Sequence, residues 1–119
     1  MNTRRKTYFI DIDGVILLKS LNSGATAAWA QDIKLYLCPG VKSFFDAIEK
    51  EGAAIVLVTA RRESCRAYLE SELRRLGLFW DHLLTGLGNG TRILINDSMN
   101  PEENITADSL CIKTNKGFE

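Results

Sequence analysis

The 119-residue chain lacks an excess of either charge, because 15 basic and 15 acidic residues cancel and the one histidine is neutral at pH 7. Nucleic-acid and membrane-surface binders are favoured by a basic excess, so composition offers no electrostatic argument for either kind of partner. Cysteine is scarce as well. Cys38, Cys65 and Cys111 are odd in number, form no Cys-x-x-Cys pair and have no histidine at ligand spacing, which supports neither a disulfide framework nor a zinc site. They are expected to be reduced core residues. The basic start Arg4-Arg5-Lys6 precedes an apolar stretch that Asp11 and Asp13 interrupt, with no small-residue cleavage pattern, so no signal peptide is expected and the location read from this is cytoplasmic. On that reading the three glycosylation sequons at Asn89, Asn96 and Asn104 are chance matches. His82, in FWDHLL, has no cysteine or carboxylate at ligand spacing and is read as structural.

What is present fits one ordinary globular unit. Hydrophobic residues make up 45% and charged residues 25% of the chain, with no repeat, linker or low-complexity stretch. A chain of this size buries roughly two thirds of its unfolded surface, enough for one core over residues 1–119. Thr7 to Ile12 (TYFIDI) reads as a buried strand ended by Asp-Gly. Pro39 is expected to open a helix that Gly52 closes, with Val41, Phe44, Phe45 and Ile48 on one face. Ala53 to Val58 (AAIVLV) is apolar on both faces, as a central parallel strand should be. A second helix is expected from about Glu63 to Leu76, with Cys65, Tyr68, Leu69, Leu73 and Leu76 buried and Gly77 as C-cap. Its Arg66, Arg74 and Arg75, beside Glu70 and Glu72, read as a solvated face. Short strands are expected at Leu83–Thr85, Arg92–Ile95 and Ser109–Lys113. Strands alternating with helices imply right-handed crossovers and an α/β fold: an open parallel sheet in three layers, with helices on both faces. The segment Val15 to Leu37 has no regular pattern.

In such a sheet the ligand sits beyond the carboxyl ends of the strands. The residues there are Asp11-Ile12-Asp13-Gly14, Thr59-Ala60-Arg61 and Asn96-Asp97-Ser98. An Asp-x-Asp triplet is weak evidence by itself. At the end of a buried strand, however, two carboxylates cost desolvation and mutual repulsion, and a fold tolerates that mainly where a cation or a reaction needs them. A solvated turn is the plainer alternative.

FIDIDGVI, then LVTAR, then a basic residue shortly before LINDS, resembles the four ordered motifs of the haloacid dehalogenase (HAD) superfamily in its phosphatase branch, over about Thr7 to Asp97. The resemblance implies that Asp11 is a nucleophile forming an aspartyl-phosphate, and that Asp13 protonates the leaving oxygen and then deprotonates the hydrolytic water. Gly14 supplies the backbone freedom of the turn. Asp at position 13 is the phosphatase choice in the family. Thr59 would donate its hydroxyl to a phosphate oxygen. Arg92 would neutralise the phosphate and Asp11, although the family uses lysine more often and Arg92 lies only five residues before Asp97. Magnesium is the implied cofactor, held by the Asp11 carboxylate, the Asp13 carbonyl and the Asp97 carboxylate. The fourth motif also departs from the family, since Asp97 is the lone acid at that strand end. Asn96 is either an outer ligand or a turn former, and Glu102 and Glu103 are expected to begin a helix after Pro101. Arg61 and Arg62 are either contacts for the substrate's leaving group or solvated residues at a helix start. Trp29 is read as a buried anchor rather than a lid over the site.

Asp11 and Thr59 lie 48 positions apart and Thr59 and Arg92 lie 33 apart, which leaves no room for the cap domain by which family members usually select substrates. The expected activity is therefore that of a capless, magnesium-dependent phosphoric monoester hydrolase acting on a small metabolite such as a sugar phosphate, with a homo-oligomer covering the open site. The alternatives are a polynucleotide-end or phosphoprotein phosphatase and, from another class, a receiver-like phosphoacceptor domain, of which Lys113 is a partial sign. That last reading lacks an aspartate where Thr59 stands. A catalytically idle binding subunit is disfavoured by the intact acids.

Overall fold

A computed structural model describes residues 5–19 and 34–119, so Trp29 and most of the irregular segment 15–37 lie outside the described residues. The elements in chain order are β1 (Thr7–Asp11), α1 (Val41–Lys50), β2 (Ala54–Val58), a 3₁₀ turn (Glu63–Cys65), α2 (Arg66–Arg75) and β3 (His82–Leu84). The strands form a parallel sheet in the order β1-β2-β3, with Ile10 beside Leu57 and Val58 beside Leu84. This is a small α/β fold with two helices joining parallel strands.

Burial explains why these segments adopt these elements. AIVLV in β2 has no polar residue and is buried or nearly so at every position, as befits the middle strand. Side chains alternate across the sheet, so Tyr8, Ile10, Ile55 and Leu57 share a face. That face joins a single core cluster with Val41, Phe45 and Ile48 of α1 and Leu69 and Leu73 of α2. Completely burying each such side chain contributes about 1.5–3 kcal/mol. The opposite face is more open, with Phe9 54% and Leu84 45% exposed. Helix α1 begins two residues after Pro39, because Gly40 adopts a left-handed conformation (φ 73°) at its N-cap. Gly77, at φ 82°, follows the end of α2 as the sequence leads one to expect.

Three expectations are corrected. Residues 92–95 and 109–113 are not strands; Ile93, Ile95 and Leu110 are 80%, 89% and 83% exposed. A β-prone run becomes a strand only when an edge receives it, and neither run pairs with the sheet β1-β2-β3. The Asn96 amide donates to the Thr106 carbonyl, the Thr106 hydroxyl to the Asp97 carbonyl, and the Ser98 hydroxyl to the Asn104 carbonyl. The residues after Pro101 likewise form a turn rather than a helix, closed by the Glu103 and Asn104 N–H groups on the Asn100 carbonyl. Finally, the charged side of α2 is not merely solvated. Arg66 donates to the Leu83 carbonyl at 2.8 Å, Arg75 to the Leu35 carbonyl at 2.7 Å, and Arg74 lies over the Trp80 ring.

Helix α2 also anchors the chain at Leu35. Glu72 accepts the Leu35 N–H at 3.0 Å while pairing with Arg75, and these partners lower its carboxyl pKa to about 2, the Arg75 hydrogen bond most of all. A depressed folded-state value stabilises the fold above the ordinary glutamate range, and that contribution is lost as pH falls from about 4.5 toward 2. Thermal melts should therefore show Glu72→Gln less stable than wild type at neutral pH, with the gap closing in that acid window. Phe45, fully buried, sets the core: Phe45→Ala should cost about 3–5 kcal/mol in denaturant unfolding.

Candidate active site at the strand ends

The chain leaves the sheet at Asp11. The Ile12 N–H still donates to the Val58 carbonyl at 3.2 Å, and the Ile12 carbonyl then collects the N–H groups of Val15, Ile16 and Leu17. Gly14 takes φ 90° in this turn, a conformation an L side chain rarely adopts. The result carries Asp13 off the strand and toward the end of β2. Thr59, directly after β2, is tied by its N–H to the Leu84 carbonyl and by its carbonyl to the Leu87 N–H. Its hydroxyl accepts the Arg61 N–H at 3.0 Å, a side-chain turn that folds Arg61 back over the strand end.

There Arg61 meets Asp13 in a two-pronged ion pair. Nε donates to Oδ2 at 3.0 Å and Nη2 to Oδ1 at 2.8 Å. Arg61 is only 3% exposed and the Asp13 side chain 19%. The planar fork matches the carboxylate, and burial removes the competing water. The Thr59 hydroxyl approaches Asp13 Oδ2 at a long 3.5 Å. Arg61 Nη1 is buried and has no hydrogen-bond partner among the described residues. Of the two sequence readings of Arg61, solvated residue and leaving-group contact, burial removes the first. Its present partner is Asp13 rather than open space. Arg62 is exposed and precedes the 3₁₀ turn.

Arg92 reaches Asp11, although not from a strand: Nη1 lies 3.3 Å from Oδ1, with both side chains partly exposed. Burial raises the Asp11 carboxyl above the ordinary aspartate value; Arg92 opposes that shift and the nearby Asp13 charge adds to it. Asp11, Asp13, Thr59, Arg61 and Arg92 thus converge on one edge of the sheet. Asp97 does not join them. It is exposed, and the described residues contain no group of three His, Cys, Asp or Glu side chains arranged to hold an ion. Two of the three oxygen donors expected for magnesium, those of Asp11 and Asp13, are at the strand end, which falls short of the proposed ligand set. Asn96 is engaged with Thr106 in the same exposed segment. His82 is exposed on β3.

A cavity of about 350 Å³ lined by Arg5, Glu49, Ala53, Phe79, Trp80 and Asp81 among others opens at the amino ends of the strands, opposite the carboxylates. It has no part in this chemistry. No helix among the described residues is long and apolar enough to cross a membrane.

No protein-family profile matches the chain, and no curated protein does. Among solved structures, it is similar to a chain of the Pnkp1/Rnl/Hen1 complex, with a TM-score of 0.57, 22% identity and coverage of 77% of this chain and 32% of that one. A chain of the Pnkp1/Rnl/Hen1 RNA repair complex gives the same TM-score and identity over 74% of this chain and 27% of its own length. The present chain spans about a third of the solved chains it resembles, and the similarity is one of fold.

Proposed function

We propose that the chain hydrolyses phosphate monoesters through a covalent intermediate on Asp11, as a HAD-type core with the three-layer architecture of that superfamily. The observation that supports this best is the pairing of two carboxylates at one strand end with two different arginines: Arg92 on Asp11 and Arg61 on Asp13. Two acids held in different surroundings suit two roles. An Asp11 oxygen attacks phosphorus, the bond from phosphorus to the ester oxygen breaks, and Asp13, having left Arg61 and taken up a proton from solvent, delivers it to that departing oxygen. Asp13 then takes a proton from water, the water oxygen attacks phosphorus, and the bond to Asp11 breaks, releasing phosphate and restoring both groups. Arg92, partly exposed beside Asp11, is placed to receive the negative charge of the phosphoryl group. Thr59 and Arg61 set the starting position of Asp13, so its carboxyl must swing off Arg61 to reach the substrate. Magnesium belongs to this reading as the cation that would offset phosphoryl charge, with the Asp11 carboxylate and the Asp13 carbonyl as its protein donors; Asp97, the third donor of the expected set, lies outside the strand-end cluster.

Two substrate classes follow from different observations. The absence of net charge favours a small metabolite such as a sugar phosphate, which the uncapped site would take with a second copy of the chain covering it, whereas the open site by itself equally suits a bulky substrate. The fold likeness to chains of an RNA repair complex favours a polynucleotide end. Zero net charge is an average over the chain and does not set the field at the strand ends, where Arg92 lies exposed.

Purified protein with magnesium should hydrolyse p-nitrophenyl phosphate, and chelation should abolish the activity. Asp11→Asn should lose at least about 100-fold in kcat; full activity in that variant sinks the nucleophile assignment. A panel of sugar phosphates and 3′- or 5′-phosphorylated oligonucleotides, ranked by kcat/KM, decides between the substrate classes. Absence of turnover on every ester overturns the enzyme reading, and labelling by acetyl phosphate without turnover favours a phosphoacceptor domain instead.

A further inference from the structure

The turn that carries Asp13 is gripped from behind by a residue far away in sequence. Asn115 sits at φ 66°, in the left-handed region, the one non-glycine residue at positive φ among those described. Asparagine tolerates this conformation better than most residues, yet it remains unfavourable and persists only where surrounding contacts hold it. Three hydrogen bonds do so. The Asn115 N–H donates to the Gly14 carbonyl at 2.8 Å. Its side-chain Oδ1 accepts the Lys19 N–H at 3.0 Å, and its Nδ2 donates to the Lys19 carbonyl at 2.9 Å. The carboxamide thus imitates a peptide group of a neighbouring strand.

These contacts fasten both ends of the segment 14–19, which begins one residue after Asp13. Between those ends, the Gly14 N–H donates to the Leu17 carbonyl at 2.7 Å. The clamp is itself anchored away from the site. A Cβ on Gly117 would lie 2.0 Å from the Pro39 carbonyl oxygen, so only glycine fits there. The Phe118 N–H donates to that same oxygen at 2.9 Å, and its ring stacks on Phe44 with centroids 4.1 Å apart. Residues 115–118 therefore connect the start of α1 to the back of the Asp13 turn.

We infer that Asn115 is a positioning residue for Asp13, holding its backbone still while its carboxyl moves from Arg61 to the leaving oxygen. The inference rests on the phosphatase reading. Arg61 constrains the side chain from one side and Asn115 the main chain from the other. A proton donor placed to within a fraction of an ångström matters most where the leaving oxygen needs the proton most. An alkyl ester, whose alkoxide is a poor leaving group, should be sensitive to the clamp. p-Nitrophenyl phosphate, whose phenolate departs readily, should not.

The test is Asn115→Gly, which retains the left-handed backbone and the bond to Gly14 but removes both side-chain bonds. We expect kcat/KM, which reports the steps up to expulsion of the leaving group, to fall about tenfold or more on β-glycerophosphate and less than about twofold on p-nitrophenyl phosphate. Asn115→Asp, which keeps the acceptor for the Lys19 N–H, should recover part of the loss. Amide exchange at residues 14–19 should quicken in the glycine variant. Equal losses in kcat/KM on both esters, or unchanged rates together with unchanged exchange, overturn the inference while leaving the phosphatase reading intact. A wild type inactive on both esters overturns the phosphatase reading and the positioning role with it.

Discussion

The ion pair between Arg61 and Asp13 is the contact on which the organisation of the strand ends depends. Both partners are largely withdrawn from water, with Arg61 almost wholly buried. Desolvating two charges is expensive, and their attraction offsets it only where geometry is good and the remaining donors and acceptors are satisfied. Two parallel hydrogen bonds satisfy the carboxylate here, and the Thr59 hydroxyl fixes the Arg61 main chain. Nη1 alone is left over. Removing either partner would strand a charge in a poorly solvated place, and the pair links the end of β1 to the end of β2.

Around that pair the sheet acts as a frame. The middle strand is buried because helices and neighbouring strands cover it, and its burial dictates that the polar residues appear only where it stops. Thr59 is that stopping point, and Asp11 ends β1 beside it. The chain then uses side chains to extend order past the ladder: Arg66 reaches the β3 backbone, Glu72 and Arg75 hold the returning chain at Leu35, and Asn115 holds Gly14 and Lys19. Each of these is a side chain satisfying a backbone group that regular structure leaves unpaired, which is how a short chain orders its loops without disulfides.

The strands and helices at the centre were legible in the sequence because their patterns are local. AAIVLV is apolar on both faces, Gly52 and Gly77 punctuate the helices, and Val41, Phe45 and Ile48 repeat at helical spacing. The convergence of Asp11, Asp13 and Thr59 followed from the topology of parallel strands. What was not legible is long-range. RILI and SLCIK have strand composition, but composition does not supply a pairing edge, and neither run pairs with the three-stranded sheet. Arg61 was recognised as a site residue without its partner, since nothing within LVTAR specifies that its guanidinium turns toward an aspartate 48 positions earlier. Asn115 carried no signal beyond its tolerance of a left-handed backbone. Asp97 matched a motif position, yet the exposed loop that carries it leaves it outside the cluster of acids at the strand end.

The central claim is that Asp11 becomes covalently phosphorylated, and chemical trapping addresses it without reference to substrate identity. Protein mixed with p-nitrophenyl phosphate and magnesium, quenched during turnover and reduced with borohydride, converts an aspartyl-phosphate into homoserine that peptide mass spectrometry can place. Asp13→Asn, impaired in activating the hydrolytic water, should raise the yield. Homoserine at position 11, absent from Asp11→Asn, is the predicted result. Continued turnover with no trapped residue, or homoserine at another aspartate, would contradict the account.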